Sequence, residues 1–229
     1  TYLQAVDKGY DFAYAVIDEA HCLSEWGHDF RTSYLALSKT IRNLCQKFSF
    51  LALTATASVQ VLKDITLELD VDKKDIITPA RWGRKELDFT IIDDNGNKPD
   101  KLIKLIDNIN NKTNFFNSKP PHSKCGIIFT STAKNSRYNN GCYDLSIKLS
   151  SHYDKKVEWY SGSNKLNWSD EEFNRYKKNI QEDFKDDKFN LLAATKSFGM
   201  GVNKKNIYFT IHYGLPASME ALYQEAGRA

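Results

Sequence analysis

Six short apolar runs recur along the chain and are separated by segments with helical periodicity. The runs are apolar without strict alternation, which is typical of parallel strands covered on both faces. They read FAYAVID, FSFLALTAT, KCGIIFTST, KVEWYSG, FNLLAATK and NIYFTIHYG. The helical segments read YLALSKTIRNLCQKF, SVQVLKDITLELDV, DKLIKLIDNINNK, CYDLSIKLSSHY, SDEEFNRYKKNIQEDFKDD and SMEALYQEAGRA. Strands that alternate with helices predict an α/β fold with a mostly parallel sheet.

Local signals add helix starts and one domain boundary to this pattern. Ser58 is a suitable N-cap, and the helix that opens at Ser169 has acidic residues in its first turn. The polar segment IIDDNGNKPDK predicts a boundary between one domain in residues 1–95 and another in residues 96–229. The segment NINNKTNFFNSKPPHS is expected to be a surface loop, because the alternation resumes directly after it.

Composition and charge fit a soluble globular protein. Of the 229 residues, 41% are apolar and 27% are charged. The net charge of +3 does not by itself indicate a protein that binds nucleic acid. A local phosphate-binding site is compatible with this near-neutral total. No apolar stretch reaches the length of a membrane span, and the N-terminus lacks the layout of a signal peptide. The four cysteines form no CxxC pair, which favours reduced thiols over disulfides or a zinc site.

The first candidate chemistry is a pair of carboxylates, Asp18 and Glu19, directly after the apolar residues YAVI. In open α/β sheets, ligands bind beyond the carboxyl ends of the strands. Two acids there suit a magnesium–nucleotide site, where one holds the ion through its waters and the other positions or deprotonates the attacking water. Taken alone, the dipeptide is more often an ordinary acidic turn after a strand.

Further polar residues follow other predicted strands. Hydroxyl groups in LTATA are placed at the same edge, although turn chemistry also explains them. In ATKSFGMGVNKKN the glycines allow close approach of the backbone to a ligand, and the lysines can meet phosphates. In YQEAGRA an amide and an arginine stand four residues apart, on nearly the same helix face. These residues are Thr54, Thr56, Lys196, Gly199, Gly201, Lys204, Gln224 and Arg228.

Taken in order, these segments resemble the motifs of superfamily 2 helicases. DEAH matches motif II, LTATA motif III, ATKSFGMGVNKKN motif V and YQEAGRA the start of motif VI, while GIIFTST falls where motif IV would lie. EAHCLSEWGHDFR is similar to the aromatic-rich loop of the RecQ family of DNA helicases. The resemblance extends from about Phe12 to Ala229. It implies RecA-like parallel sheets flanked by helices, with part of a first domain and most of a second.

The resemblance also implies an ATP site in the first domain. Asp18 would help to hold Mg²⁺ through water, and Glu19 would act as the catalytic base for ATP hydrolysis. His21 would couple the ATP site to the DNA-binding part, in concert with Thr54 and Thr56. The expected cofactors are therefore ATP and Mg²⁺.

Motifs V and VI, in the second domain, would contribute residues to the ATP site and to the DNA-binding site. Gly199, Gly201 and Asn203 would lie in the segment that links DNA to the nucleotide, and Gln224 and Arg228 would face the nucleotide. DNA binding and coupling would fall to the aromatic-rich loop and to the residues that follow the FNLLAA strand. These residues are Trp26, His28, Phe30, Arg31, Thr195 and Lys196.

The chain departs from the RecQ pattern in three places. It contains no GxxxxGK[ST] phosphate loop, and it stops before the further Gly-Arg of motif VI. Ser131, Thr132 and Ala133 stand where an asparagine-serine-arginine run is usual. We therefore expect an internal fragment of a 3′-to-5′ ATP-dependent DNA helicase of repair and recombination. By itself the fragment is expected neither to bind ATP tightly nor to unwind DNA.

Three alternatives remain open. An RNA helicase of the DEAH or DEAD type shares the motifs but lacks the tryptophan-bearing loop. A non-catalytic nucleic-acid-binding module would have no need of Asp18 and Glu19. A metal site of His21, Cys22 and His28 fits no common zinc spacing. The expected partners are single-stranded DNA, duplex junctions and ATP, without a membrane, in the nucleoid-associated cytoplasm of a bacterium or the nucleus of a eukaryote.

Overall fold

The computed structural model divides the chain into two compact units, residues 1–83 and 84–229. The residues that it describes are 5, 8–10, 12–24, 36–45, 48–54, 58–78, 85–135, 141–164, 166–199 and 203–229. The sequence places a domain boundary after residue 95, within a segment, 85–97, that has neither helix nor strand. That boundary stays a prediction.

The first unit is built on two parallel strands. Strand β1 pairs with β2 from Tyr14 opposite Ser49 to Ile17 opposite Ala52. Among the described residues of this unit, the regular elements are β1 (Tyr14–Ile17), α1 (Leu37–Leu44), β2 (Ser49–Ala52) and α2 (Val59–Leu69), with 3₁₀ turns at Ala20–Leu23 and Lys73–Asp75.

Helix α2 supplies much of the core of this unit. The Ser58 side chain accepts a hydrogen bond from the amide of Val61 at 3.3 Å, so the predicted N-cap is confirmed. Val61, Ile65 and Leu69 recur every four residues and are buried on one face, against Ile17 and the 3₁₀ turn after β1. The helix therefore holds the end of β1 in place.

One face of the two-stranded sheet stays open to solvent in the part of the chain described. Tyr14 and Val16 of β1 are 68% and 59% exposed, and Leu51 of β2 is 47% exposed. Parallel sheets normally bury both faces. The described part of the first unit thus carries an exposed apolar sheet surface.

The second unit contains a four-stranded sheet of order β4-β5-β3-β6, in which all neighbours are parallel. Every residue of β3 and β5, the central strands, is buried. The strands are β3 (Cys125–Phe129), β4 (Val157–Tyr160), β5 (Leu191–Ala194) and β6 (Ile207–His212). The helices are α3 (Lys98–Thr113), α4 (Cys142–Tyr153), α5 (Asp170–Lys185) and α6 (Met219–Ala226), with 3₁₀ turns at Phe115–Asn117 and Lys196–Gly199. The apolar runs thus form parallel strands, as predicted.

Helix α5 begins where the sequence indicates. Ser169 and Glu172 form a reciprocal capping box, in which the serine hydroxyl accepts from the Glu172 amide and the glutamate accepts from the Ser169 amide. Phe173, Ile180 and Phe184 are buried beneath the helix. Cap and apolar face together explain why the polar segment after Ser169 is helical.

The segment NINNKTNFFNSKPPHS is not a surface loop throughout, so that prediction is wrong in part. Helix α3 continues through its first residues to Thr113, and the following 3₁₀ turn buries Phe115 and Phe116 in the core. The Phe115 ring packs edge-on against Phe209 of β6, with 5.1 Å between centroids. Two adjacent phenylalanines are too apolar to remain in solvent, and they outweigh the polar residues around them.

Among the described residues, the structure contains no helix long and apolar enough to cross a membrane.

Candidate functional site

The two predicted acids lie in a turn at the carboxyl end of β1. Glu19 has a left-handed backbone (φ 49°), and its amide donates a hydrogen bond to Asp18 Oδ1 at 2.8 Å. The next amide, of Ala20, donates to the carbonyl of Leu53 after β2, at 2.9 Å. Both acids are exposed while Ala20 is buried, so the turn presents two carboxylates to solvent from a fixed base.

His21 brings the DEAH and LTATA segments into contact. Its side chain is 4% exposed, and its Nδ1 lies 3.1 Å from Thr54 Oγ1 and 3.3 Å from Glu19 Oε2. A buried imidazole thus touches both the predicted catalytic base and a hydroxyl that follows the neighbouring strand. The structure therefore brings Glu19, His21 and Thr54 together, and their roles stay predictions from the sequence.

Several predicted site residues lie outside the described part of the chain. The aromatic-rich loop is among them, together with one residue each of LTATA and motif V. They are Trp26, His28, Phe30, Arg31, Thr56 and Gly201. Their roles stay predictions from the sequence.

The predicted motif V opens at the carboxyl end of β5. The Thr195 amide donates to the carbonyl of Tyr160 at 3.0 Å, and its hydroxyl lies 2.8 Å from Ser197 Oγ. A 3₁₀ turn, Lys196–Gly199, follows and is anchored by Phe198, which is 1% exposed. The side chain of Lys196 remains exposed at this edge.

Lys204 lies at the amino edge of the sheet and not at the carboxyl edge, contrary to the prediction that it contacts phosphates there. Its side chain is 3% exposed and forms an ion pair with Asp187 beside the amino end of β6. Phosphate would have to displace the half-buried Asp187 carboxylate to reach it. Asn203, one residue earlier, is exposed.

The predicted motif VI forms the short helix α6. The Ser218 side chain accepts from the Ala221 amide, and the helix ends at Ala226. Gln224 is therefore helical. Arg228 lies in the turn beyond Gly227, whereas the sequence had placed both residues on one helix. Both side chains are half-buried. Glycine disfavours helical backbone, which accounts for the earlier end.

Helix α6 packs against both β6 and the 3₁₀ turn Lys196–Gly199, so motifs V and VI are neighbours. A contact that the sequence did not reveal lies here, between His212 at the end of β6 and Glu225 of α6, with 3.1 Å from Nε2 to Oε2. The two residues stand in different elements, and no motif spacing pairs them.

Two family profiles match the chain. The profile of the helicase conserved C-terminal domain matches residues 97–229, and that of the DEAD/DEAH box helicases matches residues 4–65. The first covers more than half of the chain. The two matches follow one another in the order that the motifs predict.

Curated relatives carry the same resemblance. The ATP-dependent DNA helicase RecQ of Bacillus subtilis is 33% identical over 222 residues, which cover 97% of this chain and 33% of the relative. The ATP-dependent DNA helicase Q5 of Mus musculus is 34% identical over 223 residues, which cover 95% of this chain and 20% of the relative. The predicted RecQ resemblance is confirmed, and the chain spans a third or less of the length of these relatives.

Solved structures show the fold. The DEAD-box helicase Mss116 bound to ssRNA and UDP-BeF gives a TM-score of 0.65 at 17% identity, over 100% of this chain and 44% of that chain. The Mycobacterium smegmatis helicase Lhr bound to ssDNA and AMP-PNP gives 0.60 at 16% identity, over 95% and 27%. The likeness confirms the predicted RecA-like parallel sheets flanked by helices.

Proposed function

Since this chain belongs to the family of helicases with the conserved C-terminal helicase domain, we propose that it is part of an ATP-dependent DNA helicase of the RecQ type. The protein that contains it would couple ATP hydrolysis to 3′-to-5′ movement on single-stranded DNA and to unwinding of duplex junctions. DNA repair and recombination would be its setting.

The contact between His21 and Thr54 carries this proposal. Hydrolysis drives movement only if the acids at the nucleotide and the groups that sense DNA change together. The buried His21 places Nδ1 3.3 Å from Glu19 Oε2 and 3.1 Å from Thr54 Oγ1, and this shared contact gives a route by which a displacement at one residue would reach the other. An ordinary acidic turn would need no buried imidazole behind it.

The acids also suit magnesium held through water. Asp18 and Glu19 are exposed, and Asp18 uses Oδ1 for the turn and keeps Oδ2 for a solvated ion. The described residues contain no group of three His, Cys, Asp or Glu side chains that would bind a metal directly. When bound, Mg²⁺ would neutralise charge on the phosphates of ATP, and Glu19 would take the proton of the attacking water.

The second unit would contribute the remaining groups. Gln224 and Arg228 would face the nucleotide, and Gly199 with Asn203 would form the segment that links it to DNA. Thr195 and Lys196 would contact the DNA backbone, which suits the position of the exposed Lys196 residue at the strand edge. The neighbouring positions of α6 and the Lys196–Gly199 turn support this division of roles.

The proposal is tested with Glu19→Gln in the full-length protein that contains this chain. We expect ATP hydrolysis to fall by about 100-fold or more, since 100-fold is the lower end of what a general base contributes, while ATP binding changes little. Phosphate release and nucleotide titration measure the two quantities. Glu182→Gln, at an exposed glutamate of α5, is the matched control and should hydrolyse ATP as the wild type does. Full hydrolysis by Glu19→Gln would refute the assignment.

The nucleic-acid substrate is tested by stimulation of the same activity. We expect single-stranded DNA to stimulate hydrolysis by the wild-type full-length protein more than single-stranded RNA of equal length and sequence. Stronger stimulation by RNA would favour the alternative of a DEAH- or DEAD-type RNA helicase. A protein that binds DNA without hydrolysing ATP would be the non-catalytic module instead.

A further inference from the structure

We propose that His212 is a positioning residue that, through Glu225, fixes helix α6 so that Gln224 and Arg228 meet the nucleotide. This inference rests on the proposed function, since it gives α6 a role in ATP hydrolysis. Glu225 lies within the YQEAGRA segment, but no motif pairs it with His212. The pair joins the last residue of one strand to the last turn of the following helix.

His212 is held rigidly by the sheet. It pairs with Phe129 at the end of β3, and the amide of the next residue, Tyr213, donates to the Phe129 carbonyl at 2.9 Å. The imidazole stacks on the Phe129 ring, with 5.6 Å between centroids and 20° between planes. Phe129 is itself 3% exposed. The ring of His212 therefore has a fixed place at the carboxyl edge of the sheet.

Glu225 meets this fixed ring from α6. Its Oε2 lies 3.1 Å from His212 Nε2, and the two side chains are only 13% and 16% exposed. Among the described residues Nε2 has no aligned hydrogen bond, and its distance from Glu225 Oε2 is that of an ion pair. Shielding from water strengthens such an attraction relative to a surface pair.

Helix α6 depends on such an anchor because it has only eight residues. Helices this short are marginal alone and take their orientation from tertiary contacts. Ser218 fixes the start, whereas Glu225 and the buried Ala226 fix the last turn. Gln224 directly precedes Glu225 and Arg228 follows three residues later, so loss of the pair would free the end that carries the predicted nucleotide contacts.

The test uses His212→Gln, Glu225→Gln and the double variant in the full-length protein. Each single change should lower kcat for ATP roughly tenfold with KM for ATP within about twofold, because misplacement of groups acting in the transition state lowers kcat. The double variant should be no worse than either single variant, since both remove the same contact. His152→Gln, at an exposed histidine of α4, is the matched control and should keep the wild-type kcat.

Hydrogen exchange of the α6 amides gives a readout that needs no hydrolysis. We expect faster exchange over residues 219–226 in both single variants, with the exchange of β3 and β5 unchanged. Unchanged exchange in α6, an unchanged kcat, or additive losses in the double variant would each overturn the inference. If the wild type hydrolyses no ATP, the proposed function fails, and exchange alone then decides whether the pair anchors α6.

Discussion

At the scale of single residues, Asp187 is the centre of a hydrogen-bonded and charged network that lies away from the proposed site. Burial opposes ionisation of this carboxyl, but hydrogen bonds from Lys204, Ser123 and Asn206 outweigh it and lower its pKa to about 2. The Cys125 thiol also donates to Asp187 at 3.4 Å. The network ties the loop after α5 to the starts of β3 and β6, and so it fixes the amino edge of the second sheet.

Asp187→Asn should lower the free energy of unfolding by about 3 kcal/mol, because it leaves the buried ammonium of Lys204 without its counter-charge. Asparagine tolerates the left-handed backbone at this position (φ 57°), so the change isolates the charge. Denaturant unfolding measures the loss. Asp186→Asn, at the exposed neighbouring acid, should cost less than about 0.5 kcal/mol. If the two variants lost equal free energy of unfolding, the network around Asp187 would stabilise the fold no more than an exposed acid does.

The lowered pKa of Asp187 predicts the pH range over which its stabilising contribution to the fold is lost. A carboxyl whose folded pKa lies below its ordinary value stabilises the fold above that ordinary value and loses the contribution as pH falls through the folded pKa. For Asp187 the contribution should be complete above about pH 4 and fade towards pH 2. The wild type should therefore lose more stability in this window than Asp187→Asn does.

At the scale of elements, the start of helix α4 is held close to the segment that follows β3. The Cys142 amide donates to the Thr132 carbonyl at 3.0 Å, and the Gly141 amide donates to Asn135 Oδ1 at 2.8 Å. Gly141 passes so close to Lys134 that a methyl group there would overlap the Lys134 backbone. A glycine is required here by proximity, since its backbone dihedrals are ordinary (φ −83°, ψ 153°).

Gly141→Ala should lower the free energy of unfolding by about 2 kcal/mol, because backbone rather than a flexible side chain must move to admit the methyl group. Thermal or denaturant unfolding measures the effect. Gly214→Ala is the matched control, since its nearest neighbour would be Ser131 Oγ at 3.8 Å, and it should change stability by less than about 0.5 kcal/mol. If Gly141→Ala left the free energy of unfolding unchanged, the backbone at Lys134 would be able to move away at little cost.

At the scale of the whole molecule, the two units are unequal in what they bury. The second has a four-stranded sheet whose central strands are covered on both faces. The described part of the first has a two-stranded sheet, and Tyr14, Val16 and Leu51 leave one face of it exposed. The first unit carries the proposed catalytic acids, yet the chain contains no GxxxxGK[ST] loop to hold the phosphates of ATP.

The 229-residue chain by itself should therefore hydrolyse ATP no faster than buffer, with or without single-stranded DNA. The physical reason is that the acids can act only on phosphates held beside them, and the phosphate-binding backbone and lysine are absent from this sequence. Phosphate release by the purified chain measures this, with the full-length protein as the positive control. DNA-stimulated hydrolysis by the chain alone would show that another segment binds the phosphates.

The sequence by itself determined the elements, because apolar runs, caps and helical periodicity are local signals. All six predicted strands form, and Ser58 and Ser169 cap helices as expected. It also determined the family, because DEAH, LTATA and QEAGRA are contiguous motifs. It misjudged Phe115 and Phe116, which are buried against residues far along the chain, Phe209 and Tyr153 respectively.

Only the tertiary structure decided which side chains meet. Thr54 lies beside His21 because β1 and β2 pair in parallel, and Lys204 turns to Asp187 because β6 begins beside the loop after α5. The same holds for the pair formed by His212 and Glu225. Such contacts join residues that are distant in sequence, and their geometry follows from the packing of whole elements, which no local pattern encodes.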